Sequence, residues 1–190
     1  MRLLTTGLLI FTFIAASIVA SSSKAVIYSI DRSFTEGFST ATLTGTVDVP
    51  IGNYVIQNGS PNPFTDVNLT LTVNGTPYNL SVASTDLISG SGQFTIDATP
   101  SILTFNAAGD IDNPADLVFH DNIPPIINNQ YVIGSNGFPA FEVANTDAGT
   151  VGTRGVSFPA VFGLAIPEPS SLLLIVAAGM ILSGRRFRKN

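Results

Sequence analysis

Asp66-Val67-Asn68-Leu69-Thr70-Leu71-Thr72-Val73-Asn74-Gly75-Thr76-Pro77-Tyr78-Asn79-Leu80-Ser81-Val82 sets two alternating runs on either side of an Asn-Gly pair. Both central residues of a type I′ turn need positive φ, and Asn-Gly tolerates it well, so the stretch predicts a two-residue β-hairpin. With Asn74 and Gly75 as the loop, Leu71 faces Tyr78, Leu69 faces Leu80 and Val67 faces Val82, and these apolar side chains all fall on one face. A slip of one residue would turn that face to water, so pattern and turn chemistry specify the same register. Pro77 then stands opposite Thr72, where no hydrogen bonds are exchanged, which puts the second strand at a sheet edge.

The same period of two extends outward from the hairpin. Val26, Tyr28 and Ile30 share one face; Ala41, Leu43, Gly45, Val47 and Val49 share another, with Thr40, Thr42, Thr44 and Thr46 opposite them. Further runs read as strands at Gln93 to Ala98, Ile102 to Asn106, Leu117 to His120, Gln130 to Ile133, Pro139 to Ala144 and Thr153 to Phe162. Loops rich in Gly, Asn, Asp and Pro separate them, among them Gly52 to Pro63, Gly109 to Asp116 and Asn122 to Asn129. No sustained 3.6-residue period occurs between Val26 and Phe162. The expectation is an all-β body over residues 26–163, built as an antiparallel β-sandwich or an open barrel.

The two ends differ from this body. Met1-Arg2 and the apolar stretch through Leu8 to Val19 have the charged and apolar regions of a secretory signal peptide. Ser23-Lys24-Ala25 satisfies the small-x-small rule and places cleavage at Ala25, whereas a cut after Ala20 would put Ile18 at the third position. An uncleaved membrane anchor is the alternative for residues 1–25. Of the bases, Arg2 and Lys24 belong to this leader and Arg185, Arg186, Arg188 and Lys189 to the other end. The body keeps two, Arg32 and Arg154, against 12 acids, a formal charge of −10. Such a surface repels phosphates, so no nucleic-acid partner is expected. The chain has no cysteine; a body of this length can bury enough surface to do without disulfides in an oxidising compartment.

Residues 164–190 read as a tail. Pro167-Glu168-Pro169-Ser170-Ser171 precedes an apolar run from Leu172 to Leu182, and Arg185, Arg186, Arg188 and Lys189 follow. The prolines bias the chain toward extended structure, so a helix can begin only after Pro169. The apolar run would insert as a C-terminal transmembrane helix, and the cations would hold its end in the cytoplasm, leaving the body outside. From Ser170 to Gly184 the helix would be about 22 Å long against a hydrocarbon core of roughly 30 Å, short unless Leu164 to Ile166 join it or the arginines snorkel. In order and position these residues resemble the PEP-CTERM sorting signal of Gram-negative bacteria. That resemblance implies a secretion translocon for export and transient anchoring by the tail. It further implies recognition of the Pro-Glu-Pro region by an exosortase, a membrane-embedded cysteine-dependent transpeptidase, often in organisms that make exopolysaccharide. A permanent C-terminal membrane helix is the plainer alternative.

Chemistry in the body is sparse in the sequence. His120 is the sole histidine, so any Ser-His-Asp arrangement must use it, and no nucleophile-elbow motif accompanies it; one histidine and no cysteine argue against a zinc site. Asp110, Asp112 and Asp116 share one Pro-containing loop, with Asp121 nearby, and are the candidate calcium ligands, although their spacing is not that of an EF-hand. Ten aspartates and two glutamates leave glycoside chemistry conceivable, but nothing marks a pair. No Gly-rich phosphate loop opens a helix. Tryptophan is absent, leaving Tyr28, Tyr54, Tyr78 and Tyr131 to stack on sugars. The Asn-x-Ser/Thr sequences at Asn58, Asn68, Asn74 and Asn79 read as strand and turn residues. The sequence therefore predicts an exported, non-enzymatic envelope or matrix protein without a cofactor; a carbohydrate- or calcium-binding module is the alternative.

Overall fold

A computed structural model describes residues 25–121, 129–137 and 140–167. Among the described residues every regular element is a strand, and all pairings are antiparallel. Of the signal peptide expected over residues 1–25 only Ala25 is described; the apolar and basic parts of the expected tail lie outside the described residues, as do Asn122 to Asn128, Phe138 and Pro139.

The first sheet has eight strands. β1 (Ala25–Glu36) and β2 (Ser39–Pro50) form a long hairpin, and β3 (Gly52–Ile56) crosses to the far edge. β4 (Asp66–Val73) and β5 (Thr76–Leu80) follow β2, while β7 (Gln93–Ala98), β8 (Ile102–Ala108) and β13 (Ala160–Ala165) complete the order β3-β7-β8-β13-β1-β2-β4-β5. The second sheet holds β6 (Val82–Ser84), β9 (Ala115–His120), β10 (Gln130–Ser135), β11 (Phe141–Thr146) and β12 (Gly149–Arg154), in the order β12-β11-β10-β9-β6. The sheets share no strand and enclose one core, so of the two expected architectures the chain takes the sandwich.

The Asn-Gly hairpin forms as its chemistry requires. Asn74 has φ 49° and Gly75 has φ 86°, Leu71 pairs with Tyr78 and Leu69 with Leu80, and Pro77 faces Thr72 on the edge strand β5. The Asn74 side chain also accepts from the Thr40 amide and donates to the Ala148 carbonyl, joining the turn to β2 and to the second sheet. The expected Val67–Val82 pair does not form. The chain leaves the first sheet at Ser81, whose amide donates to the His120 carbonyl, and Val82 pairs with His120. A hairpin register holds only while both strands stay in one plane, and here the second strand changes sheet.

Three other boundaries move. Gly52–Ile56, expected in a loop, is β3, because Tyr54 and Ile56 can turn inward while β3 pairs with β7. The run from Thr153 to Phe162 breaks at Gly155 (φ 85°) and Pro159, so its halves lie in different sheets. Ala115 and Asp116, expected in a loop, open β9.

Phe162 on β13 sits where the sheets meet. Its ring stacks on Phe105 of its own sheet at 4.2 Å and on Phe119 of the other at 5.5 Å, with Tyr131 at 6.2 Å. Offset stacking across the inter-sheet space adds directional preference to ordinary apolar burial. The last described strand, β13, is therefore an inner strand, flanked by β8 and β1, and carries a central core residue.

Candidate functional site

The end of β13 is where the fold meets the tail. Ala165 donates its amide to Ser101 and Ile166 donates to Ile27, the last backbone bonds of the sheet among the described residues; Pro167 has no N–H to continue the ladder. Leu164 to Ile166, which the sequence assigns to the tail, thus belong to the folded body, and in the folded state they cannot lengthen a membrane helix. Ala25, the expected cleavage position, opens β1 opposite Pro50, so the first strand begins where the sequence places the cut. Of the residues expected to form a sorting signal, Pro167 is described and exposed; Glu168, Pro169, Arg185, Arg186, Arg188 and Lys189 lie outside the described residues.

The acidic loop is organised by its own hydrogen bonds. Asp110 Oδ1 accepts from the Asp112 amide at 2.9 Å, the Asn113 amide at 2.8 Å and Asn113 Nδ2 at 2.9 Å. These donors, the Asn113 side chain first, hold the Asp110 carboxyl below its ordinary range. Asp112 is exposed, while Asp116 is buried in β9, its Oδ1 unpartnered among the described residues and placed against Gly134, where a Cβ would come within 2.1 Å. Burial pushes the Asp116 carboxyl up to about 6. Among the described residues no three His, Cys, Asp or Glu side chains stand together as a metal site would require.

His120 Nδ1 lies 2.6 Å from the Asp121 carbonyl oxygen, its one side-chain hydrogen bond among the described residues. Tyr28 and Tyr131 are buried in the core and cannot stack on a sugar; Tyr28 donates its hydroxyl to Thr99. Tyr54, which donates to the Pro50 carbonyl, and Tyr78 are half-buried.

One polar cluster was not foreseen. Arg32 continues the inward series Tyr28, Ile30 on β1 and forms an ion pair with Glu142, which is 3% exposed on β11. Arg32 Nη1 also donates to the Val161 carbonyl at 3.1 Å, and the guanidinium carbon lies 5.7 Å from the centre of the Phe162 ring. Burial works against the Arg32 charge, but Tyr131 and Glu142 outweigh it and raise its pKa. The Tyr131 hydroxyl is buried against this pair without a hydrogen bond of normal geometry; burial first, then the Glu142 charge, pushes its pKa well up. The alternation of β1 was the available signal, since it turns position 32 toward the core.

A cleft of about 500 Å3 lies beside the free edge of β12, lined by Glu36, Asn136, Phe141, Thr150, Gly152 and Arg154. Glu36 Oε2 accepts the Gly152 amide at 2.8 Å, occupying one donor of that edge. No protein-family model, curated protein or solved structure matches the chain.

Proposed function

We propose that this chain is an exported, non-catalytic protein of the cell envelope or extracellular matrix. Its Pro-Glu-Pro, apolar and basic tail is read by an exosortase-like transpeptidase after passage through a secretion translocon. The observation that carries this reading is the coincidence of two boundaries. Among the described residues the last sheet bond is made by Ile166, and the Pro-Glu-Pro unit begins at the next residue. Pro167, the first residue of the motif, thus makes no sheet bond among the described residues, and the two prolines stiffen the sequence that leads into the apolar run. A cut after Pro167 would leave every sheet hydrogen bond among the described residues intact. A body of formal charge −10 suits solubility outside the cell and a hydrated matrix such as exopolysaccharide.

Membrane partition in the native host tests the proposal, comparing the natural chain with one carrying Pro167→Ala, Glu168→Ala and Pro169→Ala. The natural chain is expected at the surface or in the medium and the variant in the inner membrane. Equal retention of both in the membrane would make the tail an ordinary anchor and end the sorting reading.

A further inference from the structure

The outer face of the first sheet is polar over most of its area. Strand alternation places Ser29, Asp31 and Ser33 of β1 and Thr42, Thr44 and Thr46 of β2 on it. Val55, 52% exposed on the edge strand β3, stands alone as one exception, and a cluster surrounds the strand that carries the tail. Ile27, Leu164 and Ile166 are 44%, 61% and 42% exposed, and all three lie on the outer side, since their neighbours Tyr28 and Ala165 pair on the inner one. Ile166 is bonded to Ile27 through its amide, and Leu164 lies opposite Ser29 on one side and the half-buried Ile102 on the other. These side chains are contiguous across three strands, and exposed apolar groups that cluster mark an interaction surface more often than scattered ones do.

Where the chain goes next says what covers them. Only Pro167 to Ser171 separate Ile166 from the apolar run beginning at Leu172, and five residues span at most about 17 Å when fully extended. With the run in a bilayer, the end of the sheet bearing Ile27 and Ile166 is held within reach of the headgroup region. Resting on the proposed anchoring of the tail, we infer that Ile27, Leu164 and Ile166, with Ile102 beside them, are a lipid-contact patch. The folded body leans this patch on the bilayer until the tail is cut. The patch carries no lysine or arginine, and Asp48 stands across from Ile27. Contact therefore comes from apolar burial at the interface and needs no anionic lipid.

The chain has no cysteine, so single cysteines can be placed at will. Full-length protein carrying Ile27→Cys, Leu164→Cys or, as an outer-face control, Thr70→Cys would be labelled with an environment-sensitive dye. Each would be reconstituted into phosphatidylcholine vesicles and into vesicles of phosphatidylethanolamine and phosphatidylglycerol, with circular dichroism checking the fold. The dyes at positions 27 and 164 are expected to shift to the blue and to be quenched by spin-labelled lipid in both vesicle types, and the dye at position 70 to do neither. If the protein floats with the vesicles but all three dyes behave alike, the patch faces water; the inference fails while the sorting reading stands. A blue shift without quenching, growing with protein per vesicle, would assign the patch to a second copy and overturn the lipid contact. Failure to float with either vesicle would remove the anchor and both readings together.

Discussion

Glu142 and Arg32 form an ion pair whose loss should be felt throughout the sandwich, because it joins β1 of one sheet to β11 of the other. Glu142 is 3% exposed and Arg32 is 21% exposed. Arg32→Met leaves a carboxylate in the core without its counterion, and removing one partner of a buried pair costs about 3 to 5 kcal/mol. Glu142→Leu leaves a guanidinium that keeps its bond to the Val161 carbonyl and can lean toward water, so the cost should sit at the lower end, about 3 kcal/mol. The double variant strands no charge and adds apolar contact beside Phe162, so it should lie within about 1 kcal/mol of the natural chain. Urea titration of residues 26–167, followed by far-ultraviolet circular dichroism, measures all three stabilities. The expected signature is a large coupling energy, with the double variant more stable than either single one. Two single variants that each cost under about 1 kcal/mol and add in the double would refute a buried, desolvated pair.

Asp116 predicts a pH effect of defined sign. Its folded-state pKa, raised to about 6, exceeds its unfolded value, so its contribution is fully present below the unfolded pKa near 3.8 and is lost as pH rises through about 6. Asp116→Asn should therefore stabilise the domain at neutral pH by about 2 kcal/mol and flatten the fall in stability between these limits; parallel pH profiles would contradict it. Gly45 has φ 128°, and a Cβ there would lie 2.2 Å from the Asn68 carbonyl oxygen, so Gly45→Ala should cost at least about 2 kcal/mol in the same titration. Because Asp110 is already bonded within its loop and Asp116 is buried, thermal melts with calcium and with chelator should coincide. A rise in melting temperature with calcium would revive the acidic loop as a binding site.

The strands that could be read in advance were those in which side-chain period and local turn chemistry act together. The Asn74-Gly75 hairpin is the clearest, and the apolar faces of β1 and β2 follow from alternation alone. What could not be read was where the chain changes sheets. Val82 continues the alternation of β5 without interruption, and only the long-range bond from Ser81 to His120 draws it into the second sheet. The run from Thr153 to Phe162 hides a similar crossing at Gly155 and Pro159. Tail and body could be separated by composition, but apolar Leu164 to Ile166 suit a strand and a membrane helix equally well; hydrogen bonds to Ser101 and Ile27 decide between them. The Arg32–Glu142 pair was half legible: alternation turns position 32 inward, but its partner is 110 residues away in sequence.

Intact mass of the protein recovered from the surface or medium of its native host tests the central claim most directly. A processed sorting signal predicts a chain that begins at Val26 and lacks Arg185 to Asn190, with its new C-terminus beyond Ile166 so that the sheet stays whole. A mass that retains Arg185 to Asn190, or recovery only from the inner membrane, would contradict the account and leave the tail a permanent anchor.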